Sequence, residues 1–162
     1  MDKRQIVIDT LQKLGISYEL VDHPAVFTID EMDTLALPHS EAVAKNLFLR
    51  DAKGKRHFLV VIDKDKSADL KQLRQEIGCT ALSFASEERL NRYLGLTKGE
   101  VTPFGALNDT ARAVEVFFDR DLTQRPLIGV HPNDNTATVF LSLDDLCRML
   151  AAHGSPVGFV AI

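Results

Sequence analysis

The 162-residue sequence has no tryptophan, two tyrosines and two cysteines. Cys79 and Cys147 are too few for a disulfide framework and show no CxxC spacing for a metal, so both are expected as reduced thiols among apolar neighbours. No apolar run approaches the ~20 residues that a bilayer span requires, and Met1-Asp2-Lys3-Arg4 leads into an amphipathic pattern instead of a signal-peptide core. A cytoplasmic protein with no membrane partner is expected. An excess of basic charge is missing as well: 19 Lys and Arg stand against 23 Asp and Glu, a net charge of -4. That balance argues against a general DNA or RNA binder. Common catalytic signatures are also absent, with no GxSxG, no P-loop, no HExxH and no GxGxxG opening a helix after a strand. The five histidines are too scattered to suggest a zinc site.

What is present is ordinary for a soluble globular protein, at 45% hydrophobic and 26% charged residues. The length suits one domain over residues 1–162. Ile6, Val7, Leu11 and Leu14 recur at helical spacing before Gly15, and Ser17 to Val21 alternates as a strand that His23-Pro24 ends. Thr28 and Glu31 have capping-box spacing for a short helix to about Leu35, and Pro38 to Ala44 reads as a further helical turn. A hairpin follows, from Asn46 to Arg50 and from Arg56 to Ile62; its run Leu59-Val60-Val61-Ile62 suits a central strand covered on both faces. Asp69 and Ser86 cap helices that Gly78 and Gly95 stop, with a strand from Thr80 to Ala85 between them. Residues 98–108 have no clear period and read as a structured loop. Strands are expected over Ala113 to Phe118, around Leu127 to Val130 and Val139 to Leu141 on either side of the turn Pro132 to Asn135, and over Val157 to Val160, with a last helix from Ser142 to about Ala152. Helices and strands mix without regular βαβ alternation. The pattern predicts an α+β fold with a mixed, largely antiparallel, partly rolled sheet and flanking helices.

Chemistry concentrates in three places. Lys45-Asn46 stands between apolar Val43-Ala44 and Leu47-Phe48, where an ammonium facing a cleft would serve as a point-charge partner for phosphate. Gly99-Glu100-Val101-Thr102-Pro103 joins a residue that permits close backbone approach to one that fixes the exit, so its N–H groups can be held toward a carbonyl or ribose. His131 lies at a strand end beside the turn Pro132-Asn133-Asp134-Asn135. Charge is also uneven: residues 45–74 hold nine basic against four acidic residues, a balance of +5, while the rest carries -9. One face can therefore meet phosphates while the molecule stays acidic.

Taken together, Lys45-Asn46, Gly99 to Pro103, the run from Gly129 to Thr136 and the upstream His23-Pro24-Ala25-Val26-Phe27-Thr28 resemble the YbaK and prolyl-tRNA-synthetase-associated domain family over essentially the whole chain. The resemblance is greatest to its free-standing branch often called PrdX or ProXp-ala, which hydrolyses alanine mischarged onto proline tRNA. It implies an aminoacyl-ester hydrolase without a side-chain nucleophile and without a cofactor or metal. Lys45, the Gly99 to Pro103 backbone and His131 would act at the ester. Val26, Phe27, Thr28, Ile29, Asn46, Val101, Thr102, Gly129 and Val130 would line the substrate pocket, and Arg50, Lys53, Lys55 and Arg56 would meet the tRNA. The implied partners are a mischarged tRNA and prolyl-tRNA synthetase, with no DNA. Three alternatives stay open: a deacylase for Cys-tRNA or another misacylated tRNA, a non-catalytic module binding aminoacyl-tRNA or a nucleotide, and a metal-dependent hydrolase using His23, His57 and His131.

Overall fold

The computed structural model describes residues 2–162. The first helix, α1 (Lys3–Lys13), is capped by the Asp2 carboxylate, which accepts from the Arg4 N–H, and buries Val7, Ile8 and Leu11. β1 (Glu19–Asp22) follows, then α2 (Ile29–Asp33), where the Thr28 hydroxyl accepts from the Glu31 N–H as the capping-box spacing predicts. The turn expected from Pro38 onward is a single 3-10 turn, Ser40–Ala42.

The hairpin of β2 (Ala44–Arg50) and β3 (His57–Asp63) comes next, and all seven residues of β3 are buried. That burial follows from the apolar run, because a strand with water on neither face needs no polar alternation. α3 (Leu70–Ile77) is capped by Asp69 and stopped by Gly78 in the left-handed region; α4 (Glu87–Leu94) is capped by Ser86 and stopped likewise by Gly95. The expected strand between them shrinks to β4 (Ser83–Phe84), an exposed edge that pairs only with Leu49 and Arg50. The stretch from Lys98 to Asn108 is more regular than expected. Thr102 caps a 3-10 helix, Pro103–Asn108, in which Pro103 supplies a preset φ at the first turn. β5 (Val114–Asp119) leads into a 3-10 segment, Arg120–Gln124, that the sequence does not announce. β6 (Ile128–Val130), β7 (Ala137–Leu141), α5 (Leu143–His153) and β8 (Val157–Val160) complete the chain.

The strands form two sheets, ordered β1-β7-β6 and β4-β2-β3-β5-β8. The smaller is antiparallel throughout; the larger is antiparallel at β4-β2 and β2-β3 but parallel at β3-β5 and β5-β8. β3 is the central strand, as its composition predicts. A parallel bridge between Val43 and Gly129 joins the start of β2 to β6 and brings Lys45-Asn46 toward the turn that carries His131. The main core packs Leu59, Val61, Phe104, Phe118 and Leu146 between sheet and helices, and a separate cluster of Val26, Met32, Ala42, Val43 and Phe140 underlies α2. Among the described residues, no helix is long and apolar enough to cross a membrane.

Candidate active site

A cavity of about 200 Å³ opens where the two sheets meet. Its walls come from five segments: Val26 to Ile29 with Met32, Val43 to Asn46, Gly99 with Val101, Gly129 to His131, and Thr138. The three stretches that the sequence singles out thus share one hollow. Met32, Val43, Ala44 and Thr138 were not anticipated. Met32 lies one helical turn after Thr28 and Ile29, so its place on the same face follows from helix geometry once α2 is fixed.

Lys45 lines the cavity, is half-buried, and makes no salt bridge among the described residues. The other half-buried lysines behave otherwise: Lys3 pairs with Glu100 at 3.4 Å, Lys64 pairs with Asp33 at 2.7 Å, and Lys66 reaches both Asp119 and Asp121. A partly desolvated ammonium without a counterion suits an anionic ligand. Beside it, the buried side-chain oxygen of Asn46 has no hydrogen-bond partner among the described residues.

His131 is fixed by its Nδ1, 2.9 Å from the Ala137 carbonyl oxygen. A carbonyl only accepts, so Nδ1 carries the proton and Nε2 is left as the acceptor of a neutral ring. Burial pushes its pKa below the ordinary 6.5, against the Ala137 bond that pulls it up, and the His23 ring 5.9 Å away lowers it further. His23 is itself held between the Pro24 carbonyl and the Thr138 hydroxyl.

The Gly99 to Pro103 segment divides its work. Gly99 has φ +88°, and a Cβ there would come within 2.5 Å of the Phe27 ring. Thr102 and Pro103 are buried and do not line the cavity; the Thr102 hydroxyl donates to the His131 carbonyl oxygen at 2.6 Å. Thr102 thus ties this segment to the His131 backbone and Pro103 starts the 3-10 helix, where the sequence suggests that both act at the substrate. The neighbouring Val26–Phe27 segment is held by Asn135, whose Nδ2 donates to the Val26 carbonyl at 2.9 Å.

The basic hairpin lies elsewhere. Arg50 is five residues along β2 from Lys45, about 16 Å at ~3.3 Å per residue, with Lys53, Lys55 and Arg56 beyond it in the turn. Arg56 is already occupied by a bidentate pairing with Glu115 at 2.9 and 3.0 Å. His57 is fully buried at that far end, against Tyr93 and the Arg89 guanidinium. It cannot join His23 and His131 around one metal, and no group of three or more potential metal-ligating side chains occurs among the described residues. Both cysteines are part-buried, and burial raises their pKa, that of Cys147 to about 11, so neither presents a thiolate at neutral pH.

Residues 23–149 match the model of the aminoacyl-tRNA editing domain. The chain is 54% identical to the prolyl-tRNA editing protein ProX of Acetoanaerobium sticklandii, over 96% of this chain and 94% of that protein. It is 37% identical to the prolyl-tRNA synthetase associated domain-containing protein 1 of Danio rerio, over 93% and 82% of the two chains. Among solved structures, one described as a candidate trans-editing enzyme for prolyl tRNA synthetase superposes with a TM-score of 0.74 at 20% identity, covering 100% of this chain and 98% of the other. That likeness shows the shared fold. With a family match over most of its length and a relative above half identity, this chain belongs to the aminoacyl-tRNA editing domain family.

Proposed function

We propose that this editing-family deacylase hydrolyses a small aminoacyl ester from the 3′ end of mischarged tRNA, with alanine on proline tRNA as its substrate, and that the whole chain serves as one editing domain. The observation that carries this reading is a cavity of about 200 Å³ that joins an unpaired ammonium, an uncharged imidazole and a rigid glycine-containing loop. It is smaller than the ~300–1,000 Å³ typical of sites for drug-sized ligands.

Each residue has a role that its surroundings support. Lys45 neutralises the phosphate of the terminal nucleotide. The α-ammonium of the amino acid donates to the unsatisfied Asn46 oxygen, which ends that oxygen's isolation. The apolar walls from Val26, Ile29, Met32, Val43 and Val130 enclose a methyl group without offering a side-chain hydrogen bond to a hydroxyl or thiol. Water attacks the ester carbonyl, the acyl carbon–oxygen bond breaks, and the products are the free amino acid and a tRNA with its ribose hydroxyl restored. The ester is already activated, so positioning and electrostatic stabilisation carry the rate without a nucleophilic side chain. His131 Nε2 and the backbone around Gly99 orient the water and the ester. Alanine is the expected error because binding alone separates small apolar side chains by only about 1–3 kcal/mol. The names of the relatives support proline tRNA as the carrier and a working association with prolyl-tRNA synthetase.

The test is single-turnover deacylation of alanyl, cysteinyl, seryl and prolyl tRNA by the purified protein, with Lys45→Ala as control. Alanine on proline tRNA should be released fastest, and Lys45→Ala should lose at least tenfold in rate. Equal rates on all four substrates would remove the small-acyl sieve. A Lys45→Ala rate equal to wild type would remove the phosphate contact.

A further inference from the structure

Three large apolar side chains are exposed among the described residues, and Phe27 is the one that borders the cavity, at 61% exposure. Phe84 and Phe159 lie on the two edge strands of the larger sheet. The sequence suggests Phe27 as a wall of the acyl pocket; the ring does line the cavity, but at its mouth, with most of its surface facing water. A lone exposed aromatic at a cavity mouth calls for a reason, because leaving it in water forgoes the burial that such a ring normally gains.

The ring is built to stay where it is. Its backbone N–H donates to Glu31 Oε2 at 2.9 Å, while the Glu31 N–H is held by the Thr28 hydroxyl. The preceding residue is clamped from both sides, with the Val26 N–H donating to the Asn135 carbonyl and the Val26 carbonyl accepting from Asn135 Nδ2. One part of the ring rests on Gly99 so closely that no other residue type fits beneath it without a shift, and the remainder is open. The result is a supported aromatic platform at the rim of a cavity of about 200 Å³.

That volume takes an acyl group and the ester but not the nucleoside attached to it. The base must remain outside, within reach of the rim. We infer that Phe27 is a stacking platform for the purine of the terminal tRNA nucleoside, holding the base outside while the acyl group enters. This inference rests on the editing function proposed above and adds a recognition element to it. Every base has a π-face, so such a contact recognises a nucleoside without reading sequence, as a site serving tRNA ends requires.

The test measures binding of the non-hydrolysable amide 3′-alanylamino-3′-deoxyadenosine, and turnover of 3′-O-alanyl adenosine against the corresponding base-free alanyl riboside. Phe27→Ala should weaken amide binding about tenfold, within the roughly 5- to 150-fold range found for removing one stacked base. It should lower the preference for the adenosine ester over the base-free ester by a similar factor, mainly through KM. Phe27→Trp should restore binding, and Phe27→Leu, apolar but without a π-face, should not. Unchanged binding by Phe27→Ala, full binding by Phe27→Leu, or equal losses on both esters would each overturn the platform. If wild type binds the amide and Phe27→Ala does not, yet neither ester is hydrolysed, the platform stands and the editing function falls.

Discussion

At Gly99, one atom's absence shapes the site. An alanine there would meet two separate costs: a left-handed φ of +88°, worth about 1–2 kcal/mol for a residue with a Cβ, and a 2.5 Å approach to the Phe27 ring. Gly99→Ala should therefore lower the unfolding free energy by at least ~1 kcal/mol. The double variant Gly99→Ala, Phe27→Ala should recover only the part due to the ring. Denaturant unfolding checks both, and an unchanged midpoint for the single variant would contradict this account. At His131 the tautomer and the lowered pKa together keep the ring neutral below pH 6.5. Activity should hold at a pH where a free imidazole would already be protonated, then fall as the pH crosses the lower, folded-state pKa. A rate profile with its acid limb at 6.5 or above would show that the ring is not desolvated as described.

Short elements hold the site together, and they do so through a few polar ties. α2 is only five residues long and supplies Ile29 and Met32 to the cavity. Thr28→Ala removes its N-cap, for a loss of about 1 kcal/mol, and because the helix is so short the loss should appear as weaker discrimination among acyl groups. Ile29→Ala enlarges the same wall and should admit 2-aminobutyryl and prolyl esters; unchanged relative rates across the three acyl groups would show that α2 does not set the sieve. Thr102 ties the 3-10 helix to the His131 turn. Thr102→Val keeps the shape and loses the 2.6 Å bond to the part-buried His131 carbonyl, which should cost about 1 kcal/mol in stability. α1 fastens both sides of the opening from outside, with Lys3 on Glu100 at 3.4 Å and Arg4 on Asp22 at 2.7 Å, on Thr136 at 2.9 Å and near Asp134.

For the molecule as a whole, the two histidines with depressed pKa values set the response to mild acid. His57 is lowered by burial first and then by the nearby Arg89, and His131 is lowered chiefly by burial. The unfolded chain protonates both near 6.5 while the folded chain does not. Stability present at pH 7 should accordingly decline as pH falls through 6.5, until the folded pKa values are reached. Asp51 and Asp134 act in a different window. Although burial opposes it, backbone N–H donors at Asp51, and the Thr136 hydroxyl and N–H at Asp134, hold these carboxylates below 3.8, so their contribution is lost only in stronger acid. His131→Asn should flatten the stability slope between pH 7 and 5, measured by denaturant unfolding at each pH; a slope identical to wild type would exclude that assignment. Charge acts at this scale too. Because Lys64, Lys66 and Arg56 are paired internally, fewer cations face outward than the +5 balance of residues 45–74 implies. Deacylation of tRNA should still weaken with salt, and Lys53→Glu or Lys55→Glu should add to the loss.

Much of this was legible in the chain itself, because it depends on local chemistry. Caps at Thr28, Asp69, Ser86 and Ser142, stops at Gly78 and Gly95, and the apolar run of β3 are set by neighbours a few residues apart. Lys45, Gly99 and His131 stood out for the same reason, each being unusual against its immediate surroundings. What local chemistry leaves open is which distant segments meet. The bridge between Val43 and Gly129, the division of the strands into two sheets, the shortening of the expected 80–85 strand to two edge residues, and the contact of Phe27 with Gly99 are all long-range. So is the inward turn of Thr102 and Pro103, which the core around Phe104 demands once the 3-10 helix forms. The chain alone determined which groups carry the chemistry, since polarity, charge and conformational freedom belong to residues. Tertiary packing alone decided that they face one cavity and which ring is left in water at its mouth, because burial and exposure are properties of the assembled molecule.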